Sequence, residues 1–125
     1  MAMDAKGRHL IIGCRKPQMM VVMNADTGKV EASLPIGAGV DATLAAGGEA
    51  FASSGDGKLT VAAEKGGTFV VVQTVATPIG ARTMGFDAAT NQIFLATAEM
   101  DPPATAGGRP RPKPGTFKIV VVGQQ

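Results

Sequence analysis

The segment Pro35-Ile-Gly-Ala-Gly39 recurs as Pro78-Ile-Gly-Ala-Arg82, 43 residues further along the chain. Each copy follows a Val- or Ala-containing apolar run and leads into a short apolar segment and a polar turn. A second set of similar segments, at residues 3–12, 44–53 and 86–95, has nearly the same spacing. Self-similarity at a period of about 42 residues indicates a repeat architecture, in which each repeat is one supersecondary unit.

Each repeat consists of short apolar runs rich in Val, Ile and Phe and bounded by Gly, Asn, Asp or Pro, which is the pattern of β-strands. The third unit has three predicted strands, one fewer than the other two. The predicted strands are Met1–Asp4, His9–Cys14, Met19–Asn24 and Val30–Ile36 in the first unit, Ala42–Ala45, Ala50–Ser54, Leu59–Ala63 and Phe69–Ala76 in the second, and Thr83–Asp87, Gln92–Ala98 and Phe117–Gly123 in the third.

The composition excludes several classes of protein. The 125 residues include 17 Gly and 8 Pro, a density at which the long helices of a helical bundle cannot form. Cys14 is the only cysteine, so no internal disulfide or zinc-thiolate site is available. No apolar run is long enough to span a membrane as a helix, and we expect no membrane insertion. The net charge of +2 does not by itself indicate nucleic-acid binding.

Residues 101–115 form a Pro-rich insertion between the last two predicted strands. The segment contains five Pro and three cations but no large apolar side chain. Because Pro cannot donate a backbone hydrogen bond, the segment cannot lie in a sheet interior, and we predict an extended loop.

Four-stranded units at this period are typical of β-propeller blades. The hairpin Val21–Val30, the following segment Ala32–Gly37 and the turn Asp87–Phe94 resemble the YVTN-type β-propeller repeat, which is related to WD and NHL repeats. The resemblance implies an all-β open fragment of a seven-bladed ring. Its antiparallel blades would be blade 1 over residues 1–40, blade 2 over 41–81 and an incomplete blade 3 over 82–125.

The resemblance also implies partners and a compartment. We expect the remaining propeller blades, or self-association through open blade edges, to complete the structure, because an unpaired strand edge is a template for another strand. Exposed apolar surface is expected at the first and last blades. Members of the family are longer and many are exported, which suggests a periplasmic or secreted protein, although no signal peptide precedes the first predicted strand.

Motifs that could carry chemistry have simpler structural interpretations. The run from Gly37 to Ala42 fits a relaxed dinucleotide-binding pattern, but no helix follows it, so we interpret it as a tight connection between blades. Asp41 and Glu99 could approach each other as paired carboxylates, although nothing in the sequence requires it. A soft-metal set is conceivable but sheet packing is favoured, and its members are His9, Cys14, Met19, Met20 and Met23. His9 and Cys14 point to opposite faces of one strand, which disfavours a nucleophilic pair. We predict no catalytic, cofactor-binding or metal-binding residue.

Charges, in contrast, are unevenly distributed. In a propeller the loops at residues 15–18, 37–41, 55–58, 78–82 and 99–114 emerge on one side, which we call the basic loop face. This face holds seven of the twelve cations and four acids, an excess of three positive charges. The candidate ligand-binding residues are Arg15, Lys16, Asp41, Lys58, Arg82, Arg109, Arg111 and Lys113.

These features favour a non-enzymatic binding or scaffold segment whose basic loop face docks an anionic ligand or an acidic protein. Two alternatives stay open. One is the propeller part of an exported cofactor-dependent oxidoreductase, although this stretch has no Cys-x-x-Cys-His haem motif. The other is nucleic-acid binding through the basic loop face, for which the predicted loops offer phosphate contacts but no aromatic side chain for base stacking.

Overall fold

The regular structure of the chain consists entirely of β-strands. The computed structural model describes residues 1–124, and its strands are β1 (Ala2–Asp4), β2 (His9–Cys14), β3 (Met19–Asn24), β4 (Val30–Pro35), β5 (Val40–Ala46), β6 (Glu49–Ser54), β7 (Lys58–Lys65), β8 (Thr68–Ala76), β9 (Thr83–Asp87), β10 (Gln92–Thr97), β11 (Met100–Asp101), β12 (Arg111–Pro112) and β13 (Lys118–Gly123). This described part of the chain contains no helix, and so none that could cross a membrane. The all-β prediction is confirmed.

Eleven of the strands form three antiparallel sheets that follow one another along the chain. Sheet 1 has the order β1-β2-β3-β4, sheet 2 the order β5-β6-β7-β8, and sheet 3 the order β9-β10-β13. Tight turns join neighbouring strands, and several of them contain a residue in the left-handed backbone conformation: Gly in most of these turns, Arg8 between β1 and β2, and Asn91 between β9 and β10. Gly28, for example, ends the Asp26-Thr-Gly28 turn between β3 and β4 with a φ of 71°.

Three strands have the bounds that the sequence predicts: β2, β3 and β9. The predicted strands are too short for β5, β6, β7 and β8 and one residue too long for β1, β4, β10 and β13. The β7–β8 hairpin extends in both directions, since Lys58 pairs with Ala76 and Lys65 pairs with Thr68. The charged residues at the ends of β7 are Lys58, Glu64 and Lys65. Their backbones pair with β8, and their side chains are exposed to water.

The Pro-rich insertion is more ordered than the predicted loop. Its ends form a two-residue ladder, in which Met100 is paired with Pro112 and Asp101 with Arg111. Pro112 is tolerated because the ladder has no further strand beside it and needs no amide donor there. Asp101 and Arg111 are register partners in this ladder, but their charged groups form no ion pair within 4.0 Å.

The sheets pack face to face in chain order. Residues of sheet 1 and sheet 2 share one core cluster, to which sheet 1 contributes Ile11, Met20, Val22 and Leu34 and sheet 2 contributes Val40, Ala50, Ala52, Ala62 and Phe69. Sheet 2 and sheet 3 share a second cluster, whose buried strand residues are Phe51, Leu59 and Val61 from sheet 2 and Ile93 and Leu95 from sheet 3. We call the face of each sheet that is directed toward the next sheet its trailing face, and the opposite face its leading face.

The cross-strand register repeats from sheet to sheet. On the trailing faces the equivalent pairs are Ile11–Val22, Phe51–Val61 and Phe94–Val121, followed by Gly13–Met20, Ser53–Leu59 and Ala96–Ile119. On the leading faces they are Leu10–Met23, Ala50–Ala62 and Ile93–Val122, followed by Ile12–Val21, Ala52–Thr60 and Leu95–Val120. The three sheets therefore repeat one arrangement of side chains, and β13 occupies the position of a third strand.

Candidate functional site

The connections that form the basic loop face are hydrogen-bonded to one another. The amide of Ile36 donates to the carbonyl of Gln18 at 3.4 Å, that of Gly55 to Gly39 at 3.0 Å, and that of Gly80 to Gly55 at 2.9 Å. These bonds link the β2–β3, β4–β5, β6–β7 and β8–β9 connections in a continuous series. Four of the five predicted loops therefore lie together at one edge of the stacked sheets.

The Gly-rich connection between β4 and β5 is held by the carboxylate of Asp56. The Ala38 amide donates to Asp56 Oδ2 at 2.9 Å, and the Asp56 amide donates to the Ala38 carbonyl at 3.2 Å. Gly37 is buried against Asp56 and Ser54, where a side chain would collide with both. Since strand β5 follows directly, no helix N-terminus is present to receive a phosphate, which agrees with a structural connection rather than a dinucleotide site.

Arg15 and Asp41 bridge the three sheets at this edge. Arg15 Nε donates to the Val40 carbonyl at 3.0 Å, and Arg15 Nη2 lies 3.8 Å from Asp41 Oδ1. The hydroxyl of Thr83, at the start of β9, donates to Asp41 Oδ2 at 3.3 Å. Asp41 is thus used to connect sheets, and its charge is offset by Arg15.

The other candidate cations divide into paired and unpaired groups. Lys58 Nζ lies 3.3 Å from Asp56 Oδ2, and Lys113 Nζ lies 3.9 Å from Glu99 Oε2. Glu99 and Asp41 therefore have different partners and do not form a carboxylate pair. Within residues 1–124 no carboxylate lies within ion-pair distance of the remaining four candidates, which are Lys16, Arg82, Arg109 and Arg111.

The four unpaired cations are all exposed. The Arg82 side chain lies next to Gly55 of the β6–β7 turn. A Cβ added to Gly55 would lie 3.7 Å from both Cδ and Nη1 of Arg82. Arg109 and Arg111 belong to the insertion. The excess positive charge of the basic loop face is therefore concentrated on side chains that are available to a ligand.

An apolar hollow lies at the base of the insertion, where Pro112, the residue after Arg111, is part of its lining, and sequence reasoning missed it. The hollow has a volume of about 400 Å³ and is lined by Gly80, Ala96, Thr97, Ala98, Met100, Pro112, Lys113, Pro114, Gly115 and Phe117. Phe117 was predicted to begin the last strand, but β13 begins at Lys118 and the Phe117 ring is exposed. One aromatic side chain therefore lies beside loops that contain none of their own.

The base of the insertion is fixed by hydrogen bonds. The Glu99 amide donates to Thr116 Oγ1 at 3.0 Å, and the Lys113 amide donates to the Glu99 carbonyl at 2.8 Å. The Thr116 hydroxyl in turn donates to the Lys113 carbonyl at 2.7 Å. These bonds hold Lys113 beside the hollow. In the sequence, only the position of Thr116, after Gly115 and before an apolar run, could have indicated that its hydroxyl forms these hydrogen bonds.

The opposite edge of the sheets carries ion pairs of its own. Hydrogen bonding from Arg8 lowers the pKa of Asp26, and hydrogen bonding to Asp26 raises the pKa of Arg8. The Gly7 backbone amide is the main reason that the pKa of Asp4 lies below its ordinary value, and partial burial opposes this shift. Hydrogen bonds from the Thr90 hydroxyl and the Ala89 amide likewise lower the pKa of Asp87.

His9 connects the first and second sheets at that edge. Its Nε2 lies 3.1 Å from Glu31 Oε2, and its Nδ1 lies 3.5 Å from Asp4 Oδ2. The ring also meets Phe69 of β8 edge-on, with 5.1 Å between the ring centroids. His9 therefore helps to pack the two sheets.

The conceivable soft-metal set is divided between two sides of sheet 1. Met20 lies in the core shared with sheet 2. Cys14 and Met19 are register partners in the row beside Gly13–Met20, so their side chains are on the opposite, leading face. Residues 1–124 contain no cluster of three His, Cys, Asp or Glu side chains that could hold a metal ion.

A larger crevice lies between sheets 2 and 3, away from the basic loop face. Its volume is about 560 Å³, and its lining includes Gln73 and Val75 of β8 with Val122 and Gly123 of β13. Strand β4 packs against β8 where sheets 1 and 2 meet. Among residues 1–124 no strand lies next to β13 at the corresponding position of sheet 3, and the crevice occupies that space.

Comparison with known proteins identifies no family model, no curated protein and no solved structure that matches this chain.

Proposed function

We propose that this chain is a segment of a β-propeller, with two four-stranded blades and a three-stranded third blade, that works as a non-catalytic scaffold. Its basic loop face would dock an acidic peptide or an acidic protein surface. The observation that carries the proposal is the position of exposed cations next to an apolar hollow: Arg111 directly precedes Pro112 of the hollow, and Arg82 follows Gly80 of the hollow by two residues. Neither cation has an ion-pair partner among residues 1–124. The YVTN-like repeat motifs and the repeating register of the sheets support the propeller assignment.

The geometry of the loop face favours an acidic ligand with an apolar anchor. Arg109 and Arg111 lie on the insertion, and Arg111 directly precedes Pro112 of the hollow. A partner that places a carboxylate against these guanidinium groups could place an apolar side chain against Met100 and Phe117. Burial of such a side chain would contribute about 1.5–3 kcal/mol to binding, more than a single exposed ion pair contributes.

The third blade supports completion by a partner strand. The lining of the crevice beside β13 includes the apolar side chains of Val75 and Val122, and the β13 edge has no neighbour among the described residues. A fourth strand that paired with β13 would fill this space, as β4 and β8 do in the other sheets. The strand would come from the remaining blades of the propeller or from another chain.

A binding assay with a short fluorescent polyglutamate peptide tests the docking proposal. We expect salt-sensitive binding at low ionic strength, and we expect the triple variant Lys16→Ala, Arg109→Ala, Arg111→Ala to bind about tenfold more weakly, because each exposed ion pair contributes up to about 1 kcal/mol. The same peptide with a terminal Leu should bind more tightly to the wild type. The variant Phe117→Ala should lose that gain.

The matched control is the triple variant Lys6→Ala, Lys29→Ala, Lys65→Ala, which removes the same charge from the opposite edge. We expect it to bind polyglutamate as the wild type does. Equal losses in the two triple variants would contradict a localised site. Tighter binding of a DNA duplex than of polyglutamate would instead support the nucleic-acid alternative.

A further inference from the structure

The leading face of sheet 1 is an apolar surface that no element of the described chain covers. Its central row crosses all four strands and consists of Met3, Leu10, Met23 and Val30, which are register partners. The neighbouring rows are Ile12, Val21 and Ser33, and then Cys14, Met19 and Pro35. None of these ten positions is charged, although 18% of the chain is. In sheets 2 and 3 the residues equivalent to Leu10 and Met23 lie beneath the preceding sheet, where Ala50, Ala62 and Ile93 are buried and Val122 is half-buried.

The trailing face of sheet 3 is the matching surface at the other end of the stack. Val121 is 51% exposed, whereas its equivalent Val61 in sheet 2 is 7% exposed. Ile119 is 48% exposed, whereas the equivalent Leu59 is fully buried. Phe94 and Ala96 complete the same two rows of pairs. The chain buries side chains of the same kind in its two core clusters, whereas no sheet among residues 1–124 covers these.

We infer that a second copy of this chain covers these surfaces, with the leading face of sheet 1 in one copy packed on the trailing face of sheet 3 in the other. The inference deepens the proposed function and rests on its propeller architecture, in which sheets stack trailing face on leading face. That mode of packing occurs twice within the chain, in its two core clusters. One chain carries both halves of a third such interface.

The residues on the two free faces suit this contact. The interface between sheets 2 and 3 joins a trailing face of Phe51, Leu59 and Val61 to a leading face with Ile93 and Leu95. The proposed contact joins Phe94, Ile119 and Val121 to Leu10, Ile12, Val21 and Met23. In the interface between sheets 2 and 3 and in the proposed contact, the trailing face contributes one Phe and two branched aliphatic residues, and the leading face contributes large aliphatic side chains. Uncharged apolar faces of this kind are typical of surfaces that another protein covers.

A contact between two different faces has a specific consequence for assembly. Such a heterologous contact is repeated from copy to copy, so it either closes a ring or extends a chain of copies. Two copies that close would form a ring of six sheets and would hide all four terminal faces. In contrast, a contact between two identical faces would stop at a dimer and leave the other faces exposed.

Sedimentation velocity of the full chain and of two single-face variants tests the inference. The variant Met23→Glu places a charge on the leading face, and Val121→Glu places one on the trailing face. We expect the wild type to associate with increasing concentration and each variant alone to associate at least tenfold more weakly. When the two variants are mixed, they should form a complex of one copy of each, because the mixture retains one intact face of each kind.

Circular dichroism and urea unfolding verify that the variants fold. If Met23→Glu does not fold, Met3→Glu replaces it, since Met3 lies in the same row and is exposed. The matched control is Ile79→Glu, which changes an exposed apolar residue on the basic loop face and should associate as the wild type does.

Three results would overturn the inference: a wild type that remains monomeric at all concentrations, single-face variants that associate normally, or a mixture of variants that does not form a complex. The polyglutamate assay separates this failure from failure of the docking proposal. A monomeric chain that binds polyglutamate at the basic loop face would refute only the second-copy inference. A chain that associates through the two faces but does not bind polyglutamate would refute only the docking proposal.

Discussion

The trailing faces of sheets 2 and 3 carry similar side chains in the same register but differ in what covers them. Phe51 and Val61 of sheet 2 are buried against sheet 3, whereas the equivalent Val121 of sheet 3 is exposed and Phe94 is only half-buried. The sequence of a strand therefore does not by itself determine its burial. The same apolar row is part of a core when another sheet packs on it, as in sheet 2, and is exposed when none does, as in sheet 3.

The largest expected difference between the two faces is in the cost of truncating equivalent side chains. Leu59→Ala should lower the free energy of unfolding by about 2–5 kcal/mol, because it leaves a cavity between sheets 2 and 3. Ile119→Ala should cost about 1 kcal/mol or less in the monomer, because Ile119 is 48% exposed and its truncation leaves no closed cavity. Urea unfolding at concentrations where the chain is monomeric measures both. Equal costs would mean that Ile119 is covered within the single chain.

A second pair of substitutions compares a covered and an open glycine. A Cβ at Gly13, on the covered trailing face of sheet 1, would lie 2.8 Å from Val40 Cγ2, whereas a Cβ at Gly85, on the open trailing face of sheet 3, would meet nothing within 4 Å. We expect Gly13→Ala to destabilise by about 1–3 kcal/mol through overpacking.

Gly85→Ala should be neutral or slightly stabilising, because Gly is a poor strand residue. Thermal unfolding of the two variants compares them directly. A destabilising Gly85→Ala would contradict the open face of sheet 3.

The smallest expected effect concerns the edge of sheet 1 rather than its faces. The pKa of Asp4 lies below its ordinary value of 3.8 in the folded chain, so its contribution to stability is present above that pH and is lost as the pH falls through the folded pKa. Asp4→Asn should therefore cost about 1 kcal/mol at neutral pH and very little once Asp4 is protonated in the wild type.

Urea unfolding of the wild type and of Asp4→Asn across the acidic range provides the measurement. Asp101→Asn, which changes an exposed carboxylate in the insertion, is the control. A difference between Asp4→Asn and the wild type that stays constant with pH would show that the Asp4 charge is not responsible.

The sequence predicted the strands well because their signals are local. In β2 and β3 the apolar runs end at Lys16-Pro17 and at the Asp26-Thr-Gly28 turn, and both strands have the predicted bounds. The three strands of sheet 3 were also predicted from the sequence, with β10 and β13 each differing by one residue at one end. Strand β7 was predicted too short because its pairing with β8 continues through Glu64 and Lys65. These two residues are charged, as residues in turns often are, and so the sequence did not indicate that they belong to the strand.

The candidate site was less predictable because it depends on contacts between distant residues. The grouping of the cations followed from the alternation of strand directions. Their pairing did not: Arg15 and Asp41 are 26 positions apart and belong to different sheets. The hollow beside Phe117 depends on a ladder within the insertion, and the high Pro content of that segment argued against any ladder.

The account depends most on the assignment of the trailing and leading faces, which methyl–methyl nuclear Overhauser effects measure directly. In a dilute sample labelled at Ile, Leu and Val methyl groups, the account predicts cross-peaks between Leu59 of sheet 2 and Leu95 of sheet 3. It predicts no cross-peaks between Ile119 or Val121 and any methyl group of sheet 2. Cross-peaks from Ile119 and Val121 to Leu59 or Val61, with none from Leu95, would contradict it.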